Sequence, residues 1–224
     1  MLNYAIDPVL LKPFMPLGTE LDFYEGTTYV SLVGFLFLKT RILGVPIPYH
    51  RNFEEVNLRF YVRRKSRDGW RRGVVFIREF VPRWAIAYVA RTFYGEAYQA
   101  LPMRHGITST GDTTQVDYAW QHGGRWQSMR MTISGESQEV QKDSAEEFIT
   151  EHYWGYARQR DGGTMEYQVE HPKWRVWLAL SAALDCDVEG LYGNCFVDCL
   201  KQSPTSAFLA DGSDVTVFRG IRIL

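Results

Sequence analysis

Glu55, Asn57 and Arg59 stand on alternate residues of "FEEVNLRFYV" (53–62), an acid, an amide and a guanidinium in one row. In an extended chain that spacing puts all three on one face and Val56, Leu58, Phe60 and Val62 on the other. The row has two readings. Turned to water, it is ordinary wet surface. Turned to a covered space, it lines a cavity, because isolated charges are costly to bury while an acid and an arginine two residues apart can partner each other. A lining of that kind could move protons, or hold a ligand carboxylate on the two-pronged guanidinium. The alternation by itself leaves both readings open.

Other chemistries lack their residues. There is no G-x-S-x-G, Walker-type loop or dinucleotide fingerprint. Cys195 and Cys199 are four apart on a predicted helix, but none of His50, His105, His122, His152 and His171 stands at ligand spacing from them. Buried helix-face cysteines are therefore expected, with no metal site. Three late cysteines make no disulfide framework, so a reducing cytoplasm is the expected location. The basic run "RRKSRDGWRR" reads as a solvated turn. With a formal net charge of -1 the chain offers no wider basic surface, so neither nucleic acid nor an anionic membrane is an expected partner. "YVSLVGFLFL" (29–38) is far short of the ~20 residues that cross a bilayer. The opening "MLNYAIDPVLLKPFMP" has no basic segment before a hydrophobic stretch, so no signal peptide is expected.

The row needs strands to hold it. A composition 46% hydrophobic and 15% aromatic supplies a thick core, and no linker or repeat divides residues 1–224, so one domain is expected. Residues 27–39 read as a strand with apolar groups on both faces, where Gly34 marks a bend or a close backbone approach. The strand at 53–64 and its partner at 70–79 are joined by a turn at Asp68-Gly69, since glycine tolerates positive φ. Pro82 opens a predicted helix over about 82–94, stopped by Gly95. Residues 113–136 form a hairpin. Ser144 and Glu147 make a capping-box pattern for a helix at 145–152. Strands follow at about 153–160, 164–170 and 174–184, then a helix from Asp187 to about 200 and a last hairpin at 205–222 turning on "ADGS". Pro172 holds His171 extended beside Trp174, a structural corner with the tryptophan in the core. Hairpin connections predominate, so the sheet is mainly antiparallel.

"FEEVNLRFYV", with "ARTFYGEAYQALPM", "EHYWGYARQRDGGTMEYQVEHPKW" and "SPTSAFLADGSDVTVFRGIRI", resembles in order and spacing the YqjF-like family of the acetoacetate decarboxylase-like superfamily. The resemblance spans most of the chain. It implies an α+β fold, mainly antiparallel β, with barrel-like or strongly bent sheets and a few outer helices. It also implies that Glu55 points into a central, largely apolar cavity.

The superfamily's decarboxylases use a Schiff-base lysine whose pKa an adjacent lysine and an apolar site depress. In the matching stretch, 91–99, the lysine places are filled by Tyr98 and Gln99, and neither forms an iminium. Lys12, Lys39, Lys65, Lys142, Lys173 and Lys201 all fall at predicted strand ends or loops. The resemblance therefore implies a site without that nucleophile and without a cofactor. Asn57, Arg59, Arg91 and Tyr94 are its candidate ligand-binding groups; Glu55, Glu96 and Tyr98 are its candidate acid-base groups. Three functions fit: binding of a small, partly apolar organic acid or carbonyl compound; a lysine-independent lyase or isomerase; or a structural polar network in an interaction module.

Overall fold

The computed structural model describes residues 1–42, 45–46, 52–82 and 97–224. The helix expected over about 82–94 lies outside them, as do Arg91, Tyr94 and Glu96. The strands are β1 (Leu2–Ile6), β2 (Glu20–Leu21), β3 (Thr28–Phe37), β4 (Arg41–Ile42), β5 (Val45–Pro46), β6 (Phe53–Ser66), β7 (Gly69–Val81), β8 (Tyr98–Ala100), β9 (Met103–Thr110), β10 (Thr113–His122), β11 (Arg125–Ser134), β12 (Gln138–Glu139), β13 (Trp154–Arg158), β14 (Thr164–Glu170), β15 (Arg175–Asp185), β16 (Ser206–Ala210), β17 (Thr216–Val217) and β18 (Ile221–Arg222). Short helices α1 (Pro8–Leu11), α2 (Ala145–Thr150), α3 (Val188–Tyr192) and α4 (Val197–Leu200) punctuate them.

All these strands except the β4–β5 pair join one mixed sheet whose main path runs β17-β14-β13-β7-β6-β3-β1-β16-β15-β11-β10-β9. Pairing is antiparallel apart from β13–β7 and β7–β8. The path does not close, but it is strongly bent. Val116, Tyr118, Met129 and Met131 of β10 and β11 share one apolar core with Leu32, Val56, Leu58 and Phe60, although five strand-to-strand steps separate β10 from β3. Gly34 permits the closest part of that approach. A Cβ there would stand 2.8 Å from Tyr118 Cδ2 and 3.0 Å from Met129 Sδ. Gly34→Ala is expected to cost about 2 kcal/mol by overpacking, read as a lower urea midpoint with an unchanged slope.

The β6–β7 hairpin turns one residue earlier than expected. Arg67 and Asp68 are its central residues, and Gly69, at φ 119°, opens β7 opposite Ser66. The basic run around it is less solvated than the sequence implied. Arg63 pairs with Glu20 at 2.7 Å, Arg72 with Asp22 at 2.6 Å, and Arg64 and Arg71 both grip the buried Glu166, at 3.1 and 2.6 Å. Folding these cations back onto acids of β14 and the β2 segment ties the hairpin to its neighbours.

α2 begins as the capping pattern predicts, with Ser144 Oγ accepting from the Glu147 N–H at 3.1 Å; the Glu147 carboxylate reaches back to the Asp143 N–H instead of that of Ser144. The helix expected from Asp187 to about 200 is broken. Gly193, at φ 99°, stops α3, a single 3-10 turn follows, and α4 resumes at Val197. The closing hairpin does not form either. β16 pairs with β1 and β15, whereas β17 and β18 lie against β14. The "ADGS" stretch therefore carries the chain from one part of the sheet to another.

Candidate functional site

β6 is a central strand, paired with β3 on one side and β7 on the other. Its Val56, Leu58, Phe60 and Val62 are 0% exposed and belong to the core. The opposite face is covered as well. Glu55 and Asn57 are 2% and 1% exposed, Tyr61 is buried and Arg59 half-buried. The row is not wet surface.

At one end Asn57 Nδ2 donates to Glu55 Oε1 at 3.0 Å, and the Tyr98 hydroxyl donates to Glu55 Oε2 at 3.2 Å from β8. Phe53 and Val81, with Phe37 and Tyr98 packed on them, give this end an apolar wall. Burial pushes the Glu55 carboxyl up to about 7, against the lowering pull of the two hydrogen bonds and the Arg59 charge. The group is therefore poised between acid and carboxylate at neutral pH, the condition for proton transfer.

Glu79 completes this end and went unnoticed in the sequence. It is 0% exposed and stands opposite Asn57 on one side and Tyr98 on the other. A bulge puts it there. β7 carries an extra residue between the partners of Leu58 and Arg59, so Phe76 and Glu79, three apart, share a face. Without the bulge, strict alternation would turn Glu79 into the apolar core beside Val75 and Ile77. A sequence signal existed, for the core residues of β7 step 75, 77, 80 and break the period of two.

At the other end α2 covers the row. Arg59 Nη2 donates to the Ile149 carbonyl at 3.2 Å, and the Phe148 ring meets Tyr61 edge-on at 5.2 Å. The Tyr61 hydroxyl shares a 2.6 Å hydrogen bond with Ser31, which donates to Asn3 Oδ1 at 2.6 Å. His152, just beyond α2, packs on the rings of Tyr61 and Phe148, with Nε2 3.8 Å from Asp22 Oδ2. That separation is ionic proximity and too long for a direct hydrogen bond. Burial, reinforced by the charges of Arg72 and Arg59 and opposed by Asp22, brings the His152 imidazole down to about 4. Burial works to raise the Asp22 carboxyl, but the His152 ring and the Arg72 guanidinium outweigh it and hold it below the usual carboxylate range. No periodicity marked Asp22 or His152, because only long-range packing brings them to β6.

Four buried atoms along this face have no hydrogen-bond partner among the described residues: Asn57 Oδ1, Arg59 Nε and both ring nitrogens of His152. The structure thus gathers Glu55, Asn57, Arg59 and Tyr98 on one covered face. A surface recess of about 390 Å³ between Ala5–Pro8 and Gly26–Thr28 holds none of them and is not the candidate. His171 stacks between Tyr153 and Trp174, at 4.9 and 4.2 Å, as a structural corner; Trp174 is only half-buried and donates to Ser213 Oγ. Among the described residues, no cluster of three or more His, Cys, Asp and Glu could hold a metal, and no helix is long and apolar enough to cross a membrane.

A family model, DUF2071, described as an uncharacterized conserved protein, matches residues 1–214. The chain is 27% identical over 191 residues to the uncharacterized protein YqjF of Bacillus subtilis (strain 168), covering 83% of this chain and 74% of that one. Among solved structures it is similar to acetoacetate decarboxylase from Legionella pneumophila, with a TM-score of 0.63, 14% identity and coverage of 100% and 83%. It is similar also to the enduracididine biosynthesis enzyme MppR complexed with pyruvate, with a TM-score of 0.66, 14% identity and coverage of 99% and 86%.

Proposed function

Because the chain belongs to the DUF2071 family and has the acetoacetate decarboxylase-like fold, we propose that it binds a small, partly apolar organic acid or carbonyl compound against the polar face of β6. One observation carries this reading. A wholly buried carboxyl, Glu55, is poised near pH 7 between an amide and a phenol, beside the apolar wall of Phe53 and Val81. Such groups cluster at functional sites, because burying and half-protonating a carboxyl costs stability that packing alone would not select. Tyr98 and Gln99 stand where the resemblance places the decarboxylases' lysines, so no iminium forms and the ligand is held without covalent attachment. Arg59, with Arg91 and Tyr94 from the segment outside the described residues, grips its acidic group. MppR, a fold neighbour, is complexed with pyruvate, which supports this class of ligand.

Protonated Glu55 can donate to a carbonyl or carboxylate oxygen; ionised Glu55 repels it. Affinity for a short acid is therefore expected to fall about tenfold from pH 6 to pH 8, as a carboxyl with pKa about 7 loses its proton. Calorimetric titration with short keto, hydroxy and aromatic acids measures this, and Glu55→Gln should bind with no such dependence. An affinity that ignores pH in the unmodified protein defeats the reading. Borohydride treatment with a keto acid should leave no stable adduct.

The same poise favours a second reading, a lysine-independent lyase or isomerase in which Glu55 or Glu96 exchanges the proton with help from Tyr98. Turnover lost in Glu55→Gln with binding retained would select it.

A further inference from the structure

Asn57 and Arg59 point to the ligand's own functional groups. Asn57 commits its Nδ2 to Glu55, which turns Oδ1 the other way, and that oxygen, in a residue 1% exposed, accepts from nothing among the described residues. The opposite rotamer would set the amide oxygen against a carboxylate oxygen. Arg59, the next residue on the same face, commits Nη2 to the Ile149 carbonyl, and its buried Nε–H donates to nothing among the described residues. One open acceptor and one open donor thus lie side by side along β6. A buried polar atom without a partner costs about as much as a lost hydrogen bond, so the pair calls for a molecule that offers both complements.

We propose that the ligand is a short 2-hydroxy carboxylic acid, its carboxylate accepting from Arg59 Nε and its hydroxyl donating to Asn57 Oδ1. Hydroxyl and carboxylate on adjacent carbons lie within a hydrogen-bond length of each other. One small molecule can therefore meet two side chains that rise from the same face of the strand at positions about 7 Å apart. A keto acid supplies the carboxylate but sets a carbonyl oxygen against Asn57 Oδ1. Asn57 is therefore the specificity-determining group for the reduced over the oxidised member of an acid pair. This deepens the reading above and rests on it.

Matched pairs test it on the full chain at pH 6: lactate against pyruvate, and 2-hydroxybutyrate against 2-oxobutyrate, by titration calorimetry. The hydroxy acid is expected to bind about tenfold or more tightly, the effect of one buried hydrogen bond made rather than missing. In Asn57→Leu, whose side chain has a similar volume and no acceptor, the preference should shrink to within about twofold; melting temperature and far-ultraviolet circular dichroism establish that the variant is folded. If it is not, the comparison of pairs in the unmodified protein decides alone. Equal binding of both members, or a preference that survives in folded Asn57→Leu, overturns this inference and leaves the binding site standing. Failure of all four acids to bind at millimolar concentration overturns both.

Discussion

Glu55→Gln should make the protein more stable at pH 8 by about 3 kcal/mol and change it little at pH 4.5. The folded carboxyl sits at about 7 against an ordinary 4.5, so the folded state holds the proton more tightly than the unfolded chain does. The stability this linkage contributes is complete below pH 4.5 and is lost as pH rises through 7, at about 1.4 kcal/mol for each unit of separation. Glutamine mimics the protonated form. Its carbonyl accepts from Asn57 Nδ2, and its amide keeps the contact with Tyr98 with the roles reversed, donating to the hydroxyl oxygen. Urea unfolding of both proteins at the two pH values measures the difference. A variant less stable than the parent at pH 8 would mean that Glu55 is ionised and well partnered in the folded state. Truncation to alanine is a different experiment, since it opens a cavity and leaves the Asn57 donor without an acceptor.

His152 works in the opposite direction. Its folded value of about 4 against 6.5 means that the folded state refuses a proton the unfolded chain accepts. The corresponding stability is complete above pH 6.5 and falls away as pH drops toward 4, by about 2.5 kcal/mol at pH 4.5. His152→Phe keeps a ring against Tyr61 and Phe148 and cannot charge. Measured against its own value at pH 7.5, the variant should lose about 2.5 kcal/mol less than the parent on going to pH 4.5. Equal acid losses in the two proteins would rule out buried, neutral His152 as the cause. Between pH 4.5 and 6.5 the contributions of Glu55 and His152 have opposite slopes, so each substitution uncovers the slope of the other.

Local chemistry was legible wherever the next few residues determined it. The pleat of β6, the cap of α2 and the β10–β11 hairpin all follow from alternation, a serine three residues before a glutamate, and "HGG". The choice between water and cavity for the polar row did not follow, because what covers Glu55 and Arg59 comes from β8 and α2, 43 and 90 residues further along the chain. Glu79 was missed for a sharper reason. A period-two reading assigns faces correctly up to the bulge and wrongly after it, and no single residue type announces an extra position in a strand. The closing hairpin failed because a glycine-bearing turn specifies a reversal, not which strand the returning chain will join.

The pleat of β6 keeps its two rows of side chains from touching each other. New residues at 55, 57 and 59 would change the polar face while the four neighbours beneath, sealed from solvent, keep the same packing. A residue inserted into the strand would exchange the two rows beyond the point of insertion, as the extra residue of β7 does for Glu79.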